Sequence, residues 1–117
     1  MDRWLRATVN TWNGLVAAAR SEVAFRQELV VLILAVPLAF VVATDPWKRL
    51  TLIAVILFLI IVELLNTAIE KLADRLTTDH DPQIGRVKDM GSAAVGVALL
   101  MVFAFWLFAI AERMGAI

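Results

Sequence analysis

Charged residues punctuate this chain at wide intervals, and the stretches between them define its elements. Residues 29–44, between Glu28 and Asp45, carry no charge and are mostly Leu, Val, Ile, Ala and Phe. The same holds for residues 50–62, between Arg49 and Glu63, and for residues 90–111, between Asp89 and Glu112. A membrane-spanning helix needs about 20 predominantly apolar residues. The third stretch meets that outright. The first meets it when its ends reach from Ala24 to Thr44, with Pro37 inside as a kink that a membrane helix tolerates. The second meets it only when Glu63 lies within the span. The expected spanning helices are 24–44, 49–73 and 87–112.

The first twenty residues follow a different pattern. Trp4, Leu5, Val9, Trp12, Leu15, Val16 and Ala19 recur at helical spacing, while Arg3, Arg6, Asn10, Asn13 and Arg20 lie mostly off that stripe. This predicts an amphipathic helix over 2–21 lying in the membrane interface. The apolar run begins too late for a signal peptide, and no A-x-A-like site follows it before further apolar segments. The chain therefore reads as one all-α membrane domain over 1–117, with three spanning helices and an N-terminal surface helix.

Composition agrees. The 117 residues are 62% hydrophobic and 19% charged, with mean hydropathy +0.83. A soluble chain this short buries only about two-thirds of its unfolded surface, so the surplus must face lipid or a partner. Eleven basic against eleven acidic residues leave no net charge, which gives no footprint for nucleic acid. Absence of cysteine excludes disulfides, thiolate catalysis and thiolate zinc sites, and His80 alone offers little for a histidine-based metal site. Basic residues are unevenly spread. Arg3, Arg6, Arg20, Arg26, Lys71, Arg75, Arg86 and Lys88 fall on one side, and Lys48, Arg49 and Arg113 on the other. The positive-inside bias puts the N-terminus and the 74–89 connection in the cytoplasm. Trp4 and Trp12 then fall near the inner interface, and Trp47 and Trp106 near the outer one.

Candidate chemistry concentrates in VELLNTAIEKLAD. Glu63, Asn66 and Glu70 stand at i, i+3 and i+7, sharing a helix face, and Asp74 continues the stripe as a solvated helix end. With the outer interface near Arg49, a core of ~30 Å ends near residue 69, so Glu70 lies at the inner interface and Glu63 roughly 10 Å deeper. A carboxylate at that depth is costly and usually functional. The interfacial one is a hard oxygen ligand suited to Mg²⁺. The deeper one suits general acid–base work, with Asn66 between them to orient either. The alternative is that the stripe only joins helices by hydrogen bonds. Glu22 and Glu28 enter the first span on the same side, Glu22 and Arg26 being spaced for an i, i+4 ion pair. Lys88 and Asp89 stand at the mouth of the third. There Lys88 can meet a phosphate as a point charge or simply snorkel. Small residues at Ser92/Gly96 and Ala94/Ala98 are spaced for close helix approach. Thr77 to Gly85, with Asp79, His80, Asp81 and Pro82, is expected to be a polar loop.

SEVAFRQE (21–28), VELLNTAIE (62–70) and RVKDMGSAAV (86–95) together resemble the prokaryotic diacylglycerol kinase family, and TWNGL (11–15) is similar to its surface-helix motif. The likeness runs in order over essentially the whole chain. E-x-x-N-[ST]-x-x-E followed about 18 residues later by K-D is its specific part. The resemblance implies a small inner-membrane enzyme, a helical bundle working as a homotrimer with shared active sites. It implies transfer of phosphate from MgATP to the hydroxyl of diacylglycerol, giving phosphatidic acid. Position by position, Glu63 matches the general base and Asn66 a neighbouring active-site residue. Glu22 and Glu70 match the metal-binding carboxylates that also hold the nucleotide. Lys88 and Asp89 match nucleotide contacts, as does Arg3. Glu28 and Arg86 match substrate positions. Many members carry tyrosine where this chain has Asn10, and a well-known version has Glu-Tyr-His-Glu at 79–82, so nucleotide contacts there differ. Two other readings compete. One is an undecaprenol kinase of the same family, although DMGSAAV looks closer to the diacylglycerol branch. The other is a proton-coupled transporter using Glu63.

Overall fold

The structure is a computed structural model and describes residues 2–117. It contains four helices and, among the described residues, no strand: α1 (Arg3–Ser21), α2 (Val23–Val42), α3 (Pro46–Leu76) and α4 (Pro82–Arg113). Helices α2, α3 and α4 are each long and apolar enough to cross a membrane.

Aspartate starts three of the four helices. Asp2 accepts a hydrogen bond from the Trp4 N–H at 3.1 Å. Asp45 accepts from Trp47 N–H at 3.0 Å, and Asp81 from Gln83 and Ile84 N–H at 2.9 and 3.2 Å. In α3 and α4 the next residue is proline, whose fixed φ suits the first helical position and whose missing N–H costs nothing there. These Asp-Pro starts extend both helices beyond the expected spans. Helix α3 has 31 residues, roughly 46 Å, so it outruns a ~30 Å hydrocarbon core. Helix α4 begins at Pro82, so the polar connection is five residues, 77–81, and not the longer loop to Gly85 that the composition suggested. Thr77 Oγ1 accepts from Asp79 N–H at 3.0 Å within it.

Arginines close two helix ends. Arg26 donates to the Ala19 and Arg20 carbonyls at 2.9 and 3.2 Å, satisfying orphan acceptors at the end of α1. It is therefore not the ion-pair partner of Glu22 that the i, i+4 spacing predicted. Glu22 caps α2, its carbonyl accepting from Arg26 N–H at 3.2 Å, but its extended backbone points its side chain off the helix face that carries Arg26. Arg49 Nε donates to the Ala43 carbonyl at 2.8 Å, and its guanidinium lies 4.4 Å from the Phe40 ring. Helix α4 ends on Gly115 at φ 77°, with Ala116 N–H bonded back to the Ala111 carbonyl at 2.9 Å. That left-handed turn requires glycine.

Helix α3 is central and packs on both α2 and α4, which scarcely meet each other. Small residues make the approach possible. Ala35, Ala39 and Ala43 form a buried line on α2 against Leu52, Val55, Ile56 and their neighbours on α3. On α4 the buried small residues are Gly91 and Ala98, seven apart. Ser92, Ala94 and Gly96, spaced for close helix approach, are exposed within the single chain, because the face of α4 meeting α3 is phased on 91 and 98. Trp106 Nε1 donates to the Leu52 carbonyl at 3.1 Å, and Lys48 pairs with Glu112, fixing the end of the bundle remote from α1. Pro37 lies on the exposed face of α2, which continues through it unbroken.

Most apolar surface stays uncovered. Only 17% of the most apolar window of α2, and 6% of that of α4, is buried within the chain. That exterior suits lipid, where association depends on packing rather than on removal of apolar surface from water. Packing at Ala98 is therefore sensitive: Ala98→Leu is expected to destabilise the fold by about 1–3 kcal/mol through overpacking against α3. Thermal unfolding in detergent measures it.

Candidate active site

One end of the bundle collects polar side chains from α2, α3, α4 and the break between α1 and α2. Glu22 sits in the break between α1 and α2, Glu28 in the second turn of α2, and Glu63, Asn66, Glu70 and Asp74 along α3. Lys88 comes from the second turn of α4. The break at Glu22 turns the chain from the surface helix into the first span, which brings the first two carboxylates to the stripe on α3. Ala18, just before it, is buried with Phe25, Val55, Ile56 and Ile60, so the corner is packed.

The stripe folds as the helical spacing requires. Asn66 is buried, and its Nδ2 donates to Glu70 Oε1 at 3.2 Å. Glu63 lies within electrostatic reach of Glu70 and Glu22, and Glu28 within reach of Glu63. Three carboxylates therefore repel the Glu63 carboxylate in a partly desolvated setting. Basic neighbours offset this only in part. Lys71 Nζ stands 4.0 Å from Glu22 Oε1, and Lys88 Nζ is hydrogen-bonded to Asp74 Oδ1. Lys88 is thus held by the α3 stripe across the 77–81 connection rather than snorkelling alone. Asp74 is solvated as expected, but it is also the partner of that lysine. Two buried oxygens, Glu28 Oε1 and Asn66 Oδ1, accept no hydrogen bond within the chain.

Other expected site residues stay apart. Arg3 is at the opposite end of α1, about 28 Å along the helix from Glu22, its guanidinium 5.7 Å from the Trp4 ring. Arg86 and Asp89 are exposed near the start of α4 and form no ion pair among the described residues. His80 is exposed in the connection. Sequence reading gave no site role to Lys71, or to Thr67, which entered only as the threonine of the E-x-x-N-[ST]-x-x-E pattern. With Asn10, Thr11, Gly14 and Ala18 they line a groove of about 410 Å³ between α1 and α3. Thr67 is four residues after Glu63, so helical spacing could have revealed it. Lys71 lies beside the stripe rather than on it, and spacing gave no signal.

Among the described residues no three acidic or imidazole side chains converge tightly enough to hold a metal by themselves. Mg²⁺ asks for less. It binds through one or two carboxylates, completes its shell with water, and takes the rest from substrate phosphates. Glu22 and Glu70, both oxygen donors near the same end of the bundle, fit that requirement.

Fold and site define an all-helical membrane protein with a carboxylate–amide–lysine cluster at one end of its bundle. The sequence profile described as prokaryotic diacylglycerol kinase matches residues 9–110. A diacylglycerol kinase of Escherichia coli K12 is 42% identical over 104 residues, covering 89% of this chain and 85% of that protein. One of Pseudomonas aeruginosa is 42% identical over 106 residues, covering 91% and 86%. One of Haemophilus influenzae is 34% identical over 102 residues, covering 87% and 86%. The chain belongs to the prokaryotic diacylglycerol kinase family. It is an enzyme, a lipid kinase with ATP as co-substrate.

The unpartnered oxygen of Glu28 shows that the cluster is held at a cost to stability. Glu28→Gln removes the charge that faces Glu63 and is expected to stabilise the folded protein by about 1 kcal/mol, the scale of one close like-charge pair at a partly solvated site. A lower unfolding midpoint in detergent than the parent's would contradict this.

Proposed function

We propose that the protein transfers the γ-phosphoryl group of ATP to the hydroxyl of diacylglycerol, forming phosphatidic acid at the cytoplasmic face of a bacterial inner membrane. The observation that carries this reading is the gathering of Glu22, Glu28 and Glu70 near Glu63, with Asn66 bonded to Glu70, in a chain of this family. The excess of basic residues on the α1 side supports a cytoplasmic N-terminus.

The parts divide by depth. Glu63, farther into α3, takes the proton of the lipid hydroxyl. The resulting oxygen attacks the γ-phosphorus, the bond from that phosphorus to the bridging oxygen breaks, and ADP leaves with the electron pair. Asn66 orients Glu70 through its N–H. Glu22 and Glu70 would hold Mg²⁺, which when bound neutralises phosphate charge. Lys88 exchanges Asp74 for a phosphate oxygen, and Asp89 and Arg3 add nucleotide contacts. Glu28 and Arg86 face the lipid headgroup. The groove between α1 and α3 admits the acceptor from the bilayer, since its lining is mostly apolar and reaches Lys71 at the site's edge. Phosphoryl transfer needs chiefly positioning and charge neutralisation, which this set supplies. The working unit is a homotrimer whose copies share active sites.

The test is a coupled ATP-turnover assay in detergent–lipid micelles with diacylglycerol, undecaprenol or no acceptor. Turnover with diacylglycerol that stops when EDTA removes Mg²⁺ is expected. Turnover with undecaprenol alone would replace the acceptor and keep the mechanism. Idle protein, shown to be folded, would favour proton transport through Glu63 instead.

Two variants separate the roles. Glu63→Gln is expected to lower turnover by about 10²–10⁴ with MgATP binding intact, because its partner is the lipid hydroxyl. Glu70→Gln is expected to weaken Mg²⁺-dependent nucleotide binding itself, by about tenfold or more. Calorimetry with MgATP reads both, and equal binding loss in the two would remove the division of labour.

A further inference from the structure

Helix α4 meets the site at a glycine. A Cβ built on Gly91 would overlap Asn66 Oδ1 outright and stand 3.2 Å from Asn66 Cγ, itself a tight contact. No other glycine in α4 is so placed: a Cβ on Gly85 or Gly96 meets nothing within 4 Å. Gly91 is buried, and so is Asn66, at 8% exposure.

The contact has an orientation. Asn66 turns its Nδ2 to Glu70 and its Oδ1 to Gly91, and that oxygen accepts no hydrogen bond within the chain. The reverse rotamer would aim a carbonyl oxygen at the Glu70 carboxylate, acceptor against acceptor. The Asn66 carboxamide is a short, terminal group, so a methyl on residue 91 displaces it before it displaces either backbone. Its N–H is then carried away from Glu70.

We infer that Gly91 is a positioning residue, its bare Cα leaving the space in which the Asn66 carboxamide lies with its N–H on Glu70. The inference rests on the proposed role of Glu70 in holding the metal–nucleotide complex. The geometric part, that the methyl acts through Asn66, stands apart from that role. Gly91 touches no reacting atom and acts only through the two α3 side chains.

Gly91→Ala, Asn66→Ala and the double variant form the test, with Gly96→Ala as control because it makes the same chemical change in open space. MgATP binding by calorimetry and thermal unfolding in detergent are both measured. Gly91→Ala is expected to weaken MgATP binding about tenfold, the scale of one lost hydrogen bond to a charged group. Turnover at saturating MgATP should fall less. Gly96→Ala should bind as the parent does. In the Asn66→Ala background, Gly91→Ala should cost nothing further in either affinity or unfolding midpoint, since the methyl then has room. Equal losses in both backgrounds would overturn the inference, and so would parent-like binding and melting by Gly91→Ala. Should Gly91→Ala fail to fold, the double variant is expected to fold, and its failure too would overturn the inference. If Glu70→Gln and Asn66→Ala both bind MgATP normally, the role of Glu70 fails. The non-additivity in unfolding midpoint would still show that residue 91 acts on Asn66.

Discussion

A carboxylate within a membrane span must find its solvation in the protein, and the architecture around Glu63 follows from that constraint. Charge at depth is expensive in hydrocarbon. Here the cost is met by concentrating polar groups at one end of the bundle instead of spreading them along it. Glu22 reaches the stripe because the chain turns in a single residue between α1 and α2. Asn66 reaches Glu70 because α4 presents glycine to it. Lys88 is drawn in by Asp74 because the connection between α3 and α4 is only five residues long. Each device is local and small, yet together they bring three carboxylates within electrostatic reach of Glu63.

The opposite end is built for rigidity. Arg49 closes α2 and stacks on Phe40, Lys48 pairs with Glu112, and the Trp106 indole is bonded to the Leu52 carbonyl. Between the two ends runs a line of alanines on α2 and large aliphatic residues on α3. Such packing favours one helix register, and register determines depth: a slip of one turn would move Glu63 by about 5.4 Å along the axis. The precision of the site is therefore set partly by contacts far from it.

How much of this was legible in the sequence depends on the range of the interaction. Helix count, the stripe of Glu63, Asn66 and Glu70, and the amphipathic first helix rest on periodicity within one element, and sequence carries that directly. The Asp-Pro pairs at 45–46 and 81–82 were equally readable as helix starts, but the polar composition of 79–85 outweighed the cap and suggested too long a loop. Contacts between elements were not readable. Arg26 sits at the right spacing for Glu22, yet the extended backbone of Glu22 itself turns its side chain off the helix face, and Arg26 goes to the carbonyls of α1. Likewise Ser92 and Gly96 satisfy a packing pattern, but the pattern does not say which helix they meet, and the phase of α4 on α3 uses Gly91 and Ala98.

Several site features gain coherence when more than one copy of the chain is considered. Arg3 stands about 28 Å along α1 from the carboxylates, too far to serve the site of its own chain without reorganising the helix. Helix α4 leaves nearly all its apolar window uncovered, with the small residues Ser92, Ala94 and Gly96 on the open surface. A small-residue face of this kind lets helices approach closely in a bilayer, where packing is the main source of association. The proposed sharing of sites in a homotrimer answers both points at once. It places a neighbouring helix on the uncovered face of α4 and lets the surface helix of one copy lie across the carboxylates of another. The surface helix then has two tasks that conflict in a single chain: to lie in the interface with Trp4 and Trp12 exposed, and to deliver a cation to the nucleotide. Dividing them between copies removes the conflict.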